Sequence, residues 1–194
     1  MTGVLLSPVP LTGLLSSLTP ELREHGERVA YLCQEVGLAL GLSPQHLDDL
    51  RVAAWLHDLG KQDLSSEMLA KTGPLTPEEW AQIRRHPELG VHRARAVPGL
   101  SAGVLAAILS HHERWDGGGY PQGLRGHEIP RLARIIAVCD VYDALRSARV
   151  YKPVWTPAAA LAEVRRGGGA AFDPEVLAAF LALEWHARSS SEAP

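Results

Sequence analysis

The chain has 194 residues, 46% of them hydrophobic, enough for one well-filled domain with little left over for a second. Its formal net charge of -3 argues against a protein that works through a broad basic footprint on nucleic acid, so any phosphate must be met locally by a metal or a few cations. Two cysteines, Cys33 and Cys139, without a CxxC spacing, fit buried thiols in a reducing compartment and exclude thiolate zinc sites.

Residues 1–18 carry no Lys or Arg and are interrupted by Pro8 and Pro10, a poor signal peptide. No apolar run approaches membrane-spanning length, so the expectation is a cytoplasmic protein that engages no membrane. A small polar residue then stands directly before proline five times: Thr19-Pro20, Ser43-Pro44, Thr76-Pro77, Thr156-Pro157 and Asp173-Pro174. Each pair reads as an N-cap followed by proline at the first helical position, where the missing N–H costs nothing. Glu79, three residues after Thr76, completes a capping box. Gly41, Gly60 and Gly167 read as helix stops. With no alternating strand pattern, the reading is all-α: a single-domain helical bundle over 19–188, after an N-terminal extension of 1–18 and before a disordered tail of 189–194. The predicted helices run over 20–40, 44–59, 66–72, 77–85, 88–97, 101–113, 130–147, 157–166 and 174–187.

On the first helix Glu21 and His25 share a face, which alone reads as a solvated charge pair. The second ends in Ala53-Ala54-Trp55-Leu56-His57-Asp58-Leu59-Gly60-Lys61, an apolar run closing on two metal-capable side chains. A histidine and a carboxylate at the end of such a run need neutralising, and a bound metal would do it. Gly60, read as the stop, leaves Lys61 free to bend over the same site. His86 before Pro87 reads equally well as a core-directed or a surface histidine. His111-His112, at the end of the apolar run from Val104 to Leu109, favours a pair of ligands. The glycine-rich connection from Arg114 to Ile129 is long for a compact domain and reads as functional or mobile. Asp140 follows the apolar run from Ile135 to Cys139, with Asp143 a turn later; as a plain salt bridge it would take Arg134, Arg146 or Lys61.

Glu21, His25, His57, Asp58, His86, His111, His112 and Asp140 thus arise from different helices, as ligands do in bundle metal centres. Nitrogen and carboxylate donors without sulfur suit iron, manganese, zinc or nickel, and their excess over one tetrahedral set suggests two or three ions bridged by a carboxylate such as Asp58. His46, His92, His127 and His186 are left for the surface.

Together these residues resemble the HD-GYP family, the cyclic di-GMP phosphodiesterase branch of the HD-domain metal-dependent phosphohydrolases. The resemblance is carried by His57-Asp58-Leu59-Gly60-Lys61 and by the run from His111 through Gly119-Tyr120-Pro121. Leu69 to Gly73, His86-Pro87, Ala133 to Asp140 and Phe172-Asp173-Pro174 support it. It implies that His25, His57, Asp58, His86, His111, His112 and Asp140 are metal ligands, with Asp58 bridging, and that Glu21 serves a third ion, the ions being iron or manganese. It further implies that Lys61, Arg149 and Lys152 grip the phosphates of cyclic di-GMP, that Tyr120 borders the site, and that hydrolysis yields pGpG, GMP or both. Asp58 and Lys61 are the catalytic expectations. Val150 stands where the family usually has proline, and about 19 residues precede the first predicted helix where relatives usually carry a sensory or receiver domain. Two rival readings share these residues: an HD-type phosphohydrolase for another nucleotide or cyclic dinucleotide, and a catalytically quiet module that binds one. Contacts with signalling partner proteins through residues 114–129 could coexist with catalysis.

Overall fold

The computed structural model describes residues 8–16, 18–147, 154–183 and 185. Among them the fold is all helical: α1 (Pro8–Ser16), α2 (Pro20–Ala39), α3 (Pro44–Leu56), α4 (Ser66–Leu69), α5 (Pro77–Ile83), α6 (His86–Ala94), α7 (Ala102–Ser110), α8 (Arg131–Arg146), α9 (Pro157–Arg166) and α10 (Pro174–Ala182). Short 3-10 turns lie at Leu59–Asp63 and Gly126–Glu128. No helix of the described residues is long and apolar enough to cross a membrane.

All five proline-preceded caps form, each side chain accepting a hydrogen bond from a backbone N–H at 2.8–3.4 Å. The Thr76–Glu79 capping box closes as read. Residues 8–16, within the expected N-terminal extension, form α1. Pro8 and Pro10 fall in its first turn, where N–H groups have no intrahelical partner, and Leu11, Leu14 and Leu15 pack on the core. The expected tail and His186 lie outside the described residues.

The core is an α2–α3–α7–α8 body. Val29, Cys33 and Val36 of α2, Leu50 and Ala53 of α3, Ala107 and Ile108 of α7, and Ile135, Ile136 and Cys139 of α8 are fully buried in it. α9 and α10 cover α8, with Val164 and Phe180 buried, and α6 lies on α7 and on the Leu59–Asp63 turn. Two close approaches set where functional side chains arrive. A Cβ on Gly26 would stand 2.9 Å from the Trp55 carbonyl oxygen, so only glycine lets α2 press on the end of α3, and this carries neighbouring His25 to His57.

Gly60 corrects the sequence reading. It is not the stop of α3, which ends at Leu56; it lies within the 3-10 turn, buried. A Cβ there would meet the His86 carbonyl oxygen at 2.0 Å and the Gly90 nitrogen at 2.5 Å. The residue is glycine because two backbones touch, and Lys61 is held inside the turn rather than swinging free beyond a helix end.

Candidate metal centre

Three imidazoles are set by one device. His57, the C-cap of α3, places Nδ1 2.7 Å from the Ala54 carbonyl, and His111, the C-cap of α7, places Nδ1 2.7 Å from that of Ile108. His86 does the same with Ile83, the last residue of α5, at 2.7 Å. Each carbonyl is of the kind that a helix end leaves without a partner. A carbonyl can only accept, so Nδ1 carries the proton and Nε2 of the neutral ring carries the lone pair. His57 Nε2 is buried without a hydrogen-bond partner among the described residues, and the Nε2 atoms of His86 and His111 face each other at 3.2 Å. Lone pairs so placed repel unless they share a cation.

Asp58 stands between two sets of these nitrogens. Its Oδ1, buried and without a hydrogen-bond partner among the described residues, lies 3.4 Å from His86 Nε2 and 3.9 Å from His111 Nε2. Its Oδ2 lies 3.6 Å from His57 Nε2 and 3.7 Å from His25 Nε2, and accepts from Lys61 Nζ at 2.5 Å. The result is two donor groups sharing one carboxylate: Asp58, His86, His111 and His112, and His25, His57 and Asp58, with ligand atoms within 4.8 Å of one another in each. Asp140 joins the second, its Oδ1 3.1 Å from His25 Nε2 and 3.8 Å from His57 Nε2. None of the salt-bridge partners considered for Asp140 reaches it: Arg134 pairs with Asp173, Arg146 donates to the Trp155 carbonyl, and Lys61 pairs with Asp58. Glu21 enters neither group. It is exposed in the first turn of α2, where hydrogen bonds from its own N–H and then from Thr19 hold its pKa low.

The electrostatics suit cations. Burial raises the pKa of Asp58, but Lys61, His57 and His86 outweigh it and hold it well below the usual carboxylate range. Asp140 is likewise well below that range, its burial outweighed by His25 and His57. Burial pushes His111 well down, brings His112 to about 4 and lowers His86, so these rings are neutral donors at physiological pH. His25 is the exception: burial opposes its charge, yet Asp140, Asp143 and Asp58 push it up to about 9, so an incoming cation displaces a proton there. The C-terminal ends of α3 and α7, with their partial negative charge, also meet at the cluster. Orphaned buried atoms, fixed tautomers and a nitrogen–oxygen donor set together fit divalent metal ions.

A family model described as an HD domain matches residues 11–176. The chain belongs to the HD domain family. The HD-GYP resemblance read from its motifs holds among the curated relatives. A cyclic di-GMP phosphodiesterase response regulator of Xanthomonas campestris is 44% identical over 157 residues, covering 80% of this chain and 41% of that protein. A 3′3′-cGAMP-specific phosphodiesterase of Vibrio cholerae is 36% identical, covering 86% of this chain and 32% of that protein. This HD domain thus spans less than half the length of either relative. A solved HDG"Y"P protein from Bdellovibrio bacteriovorus shares the fold with a TM-score of 0.69 at 20% identity, covering 92% of this chain and 57% of that one.

The HD domain also builds parts that motif reading missed. Glu113, buried, accepts from the N–H groups of Gln122 (2.7 Å) and Gly123 (3.1 Å), stapling the Arg114–Ile129 connection. That connection is further pinned by the Trp115 and Asp116 N–H groups on the Ala171 and Ala170 carbonyls. The Tyr120 ring stacks on His112, centroids 4.8 Å apart, and the guanidinium of exposed Arg84 also lies over the Tyr120 ring, 5.0 Å from its centroid. The only sequence signal for Arg84 was its place two residues before His86. Arg84→Ala should lose about 0.5–1 kcal/mol of stability, the size of one exposed cation–π contact; a thermal melt should show it as a fall in Tm of about 1–4 °C, and an unshifted melt would contradict the contact. Arg149 and Lys152 lie outside the described residues. His46, His92 and His127 are exposed, as expected.

Proposed function

We propose that this HD domain is a metal-dependent phosphodiesterase that hydrolyses cyclic di-GMP to pGpG, GMP or both in the cytoplasm. One observation carries the reading: the two oxygens of Asp58 face separate sets of imidazole nitrogens, as a carboxylate must to hold a pair of ions. His25, His57, Asp58 and Asp140 would hold one ion, and Asp58, His86, His111 and His112 the other, with Glu21 near enough in sequence to His25 to serve a third. The donors favour iron or manganese, with zinc or nickel also compatible. Divalent ions held there supply positive charge against phosphoryl oxygens and make water a better nucleophile at neutral pH.

The chain's own side chains do the rest. Lys61, paired with Asp58, would neutralise charge on the non-bridging oxygens of the scissile phosphate as they develop it. Tyr120, stacked and desolvated, walls the site beside His112. Arg149 and Lys152 would take the second phosphate, and residues 114–129 are the proposed surface for signalling partner proteins. Lys61→Ala should keep the metal and lose about 10²–10³ in kcat, the usual size of one oriented charge at a reacting centre. Elemental analysis beside a phosphodiesterase assay checks both halves, and loss of the metal would contradict the assignment.

A second reading, another cyclic dinucleotide as substrate, is favoured by the Vibrio cholerae relative named for 3′3′-cGAMP. A panel of cyclic di-GMP, 3′3′-cGAMP, cyclic di-AMP and nucleoside monophosphates, with products separated by chromatography, decides between them. The proposal expects the highest kcat/KM for cyclic di-GMP; a higher value for 3′3′-cGAMP transfers the assignment, and turnover of none returns the domain to a binding role.

A further inference from the structure

The two donor groups around Asp58 are anchored differently. On the Oδ1 side, two of the three rings, His86 and His111, are 0% exposed and held by main-chain carbonyls at helix ends, and His112 is partly buried beside them. Such a carbonyl cannot shift without moving a helix. On the Oδ2 side His57 is anchored in the same way, but His25 is 13% exposed and Asp140 16%, and the His25 ring is held by a side chain, with Nδ1 2.7 Å from Asp143 Oδ2.

Asp143 lies one turn beyond Asp140 on α8 and is buried, and it is itself clamped. Arg28 donates from Nε to Oδ1 at 2.7 Å and from Nη2 to Oδ2 at 3.0 Å. Ser147 donates its hydroxyl to Oδ2 at 3.0 Å, and Arg28 Nη2 also reaches the Ser147 hydroxyl at 2.9 Å. The Arg28 side chain is 46% exposed, so the clamp runs from solvent to the back of the His25 ring. A carboxylate accepting from Nδ1–H fixes the tautomer, aims Nε2 and strengthens it as a donor. Holding that carboxylate through a long, half-exposed arginine orders more freely rotating bonds than a helix-end carbonyl does.

We infer that the two ion positions differ in affinity, and that the Arg28–Asp143 clamp sets the weaker one, at His25, His57, Asp58 and Asp140, while leaving the stronger one alone. The inference rests on the metal-centre reading above. Asp143 and Arg28 are positioning residues, acting through the His25 ring and touching neither ion nor substrate. A singly loaded domain then keeps its fold and lacks turnover, so activity follows the free metal concentration across the range in which the weaker position fills.

The test is isothermal titration of the chelator-stripped full chain with Mn²⁺, with circular dichroism to monitor the fold. The wild type should take up Mn²⁺ in two resolved steps. Asp143→Ala should weaken the second step about 10–100-fold, the usual loss for a partner behind a ligating histidine, with the first step unchanged. Arg28→Ala should weaken the same step by less, and Arg28→Lys should recover part of the loss. Because Arg28 is half-exposed, its variants keep the inference testable should Asp143→Ala fold poorly. His25→Ala should abolish the second step and His86→Ala the first. Two equal steps in the wild type, or clamp variants that are native by circular dichroism and weaken both steps alike or neither, would overturn the inference. Uptake of no Mn²⁺ by the wild type would instead bring down the metal-centre reading beneath it.

Discussion

Asp58→Ala should leave a folded protein with little metal and no measurable turnover. Asp58 is the one side chain common to both donor groups, with an oxygen turned to each. Its removal takes a ligand from both positions at once, and it strands the Lys61 ammonium near the His86 and His112 rings, which burial already disfavours from charging. The rate should fall by more than about 10³-fold, or roughly 4 kcal/mol of barrier, because positive charge at the reacting phosphate and an activated water are lost together. Asp58→Asn separates charge from shape: an amide can offer only one oxygen, so metal content should fall nearly as far as in the alanine variant. Metal analysis with a phosphodiesterase assay reads both effects, and wild-type activity in either variant would remove Asp58 from the mechanism.

Gly60→Ala should cost the protein a large part of its margin of stability. The added methyl would stand 2.0 Å from the His86 carbonyl oxygen and 2.5 Å from the Gly90 nitrogen, both main-chain atoms that no rotamer change can clear. Relief requires the Leu59–Asp63 turn and α6 to separate, which costs about 3 kcal/mol or more. For a domain of this size that is a fall in Tm of roughly 6–12 °C. The same separation carries His86 away from Asp58, so metal content should fall as well. Gly73→Ala is the control, since an added Cβ there meets nothing within 4 Å. Thermal melts of both variants make the comparison, and an unshifted Gly60→Ala would mean that the two backbones are not in contact.

The helical frame was legible because its signals are local. A polar cap followed by proline at Thr19, Ser43, Thr76, Thr156 and Asp173 needs no tertiary context to act, and all five form. The candidate ligands at His57, Asp58 and His111 were legible because a metal-capable side chain at the end of an apolar run is costly without a partner. The rest depended on which backbones meet. Gly60 looked like a stop because glycine stops helices, yet its reason lies 26 residues on, at His86. Asp143 looked like a second carboxylate on α8, and nothing in its neighbourhood announced Arg28, 115 residues earlier. α1 was hidden by two prolines that count against a helix unless they fall in its first turn. A further signal went unused: an apolar helix end followed at the third residue by histidine, as in Ala54–His57, Ile83–His86 and Ile108–His111, marks a ring that can cap its own backbone with Nδ1 and offer Nε2.

The claim beneath all of this is that separate helices deliver their imidazoles and carboxylates to a pair of ions joined by Asp58. Elemental analysis of protein purified without oxygen tests it most directly, run on the wild type, His25→Ala and His86→Ala. The expected result is at least two iron or manganese ions per chain in the wild type and at least one fewer in each variant. Well under one ion per wild-type chain, or metal content untouched by both substitutions, would contradict it.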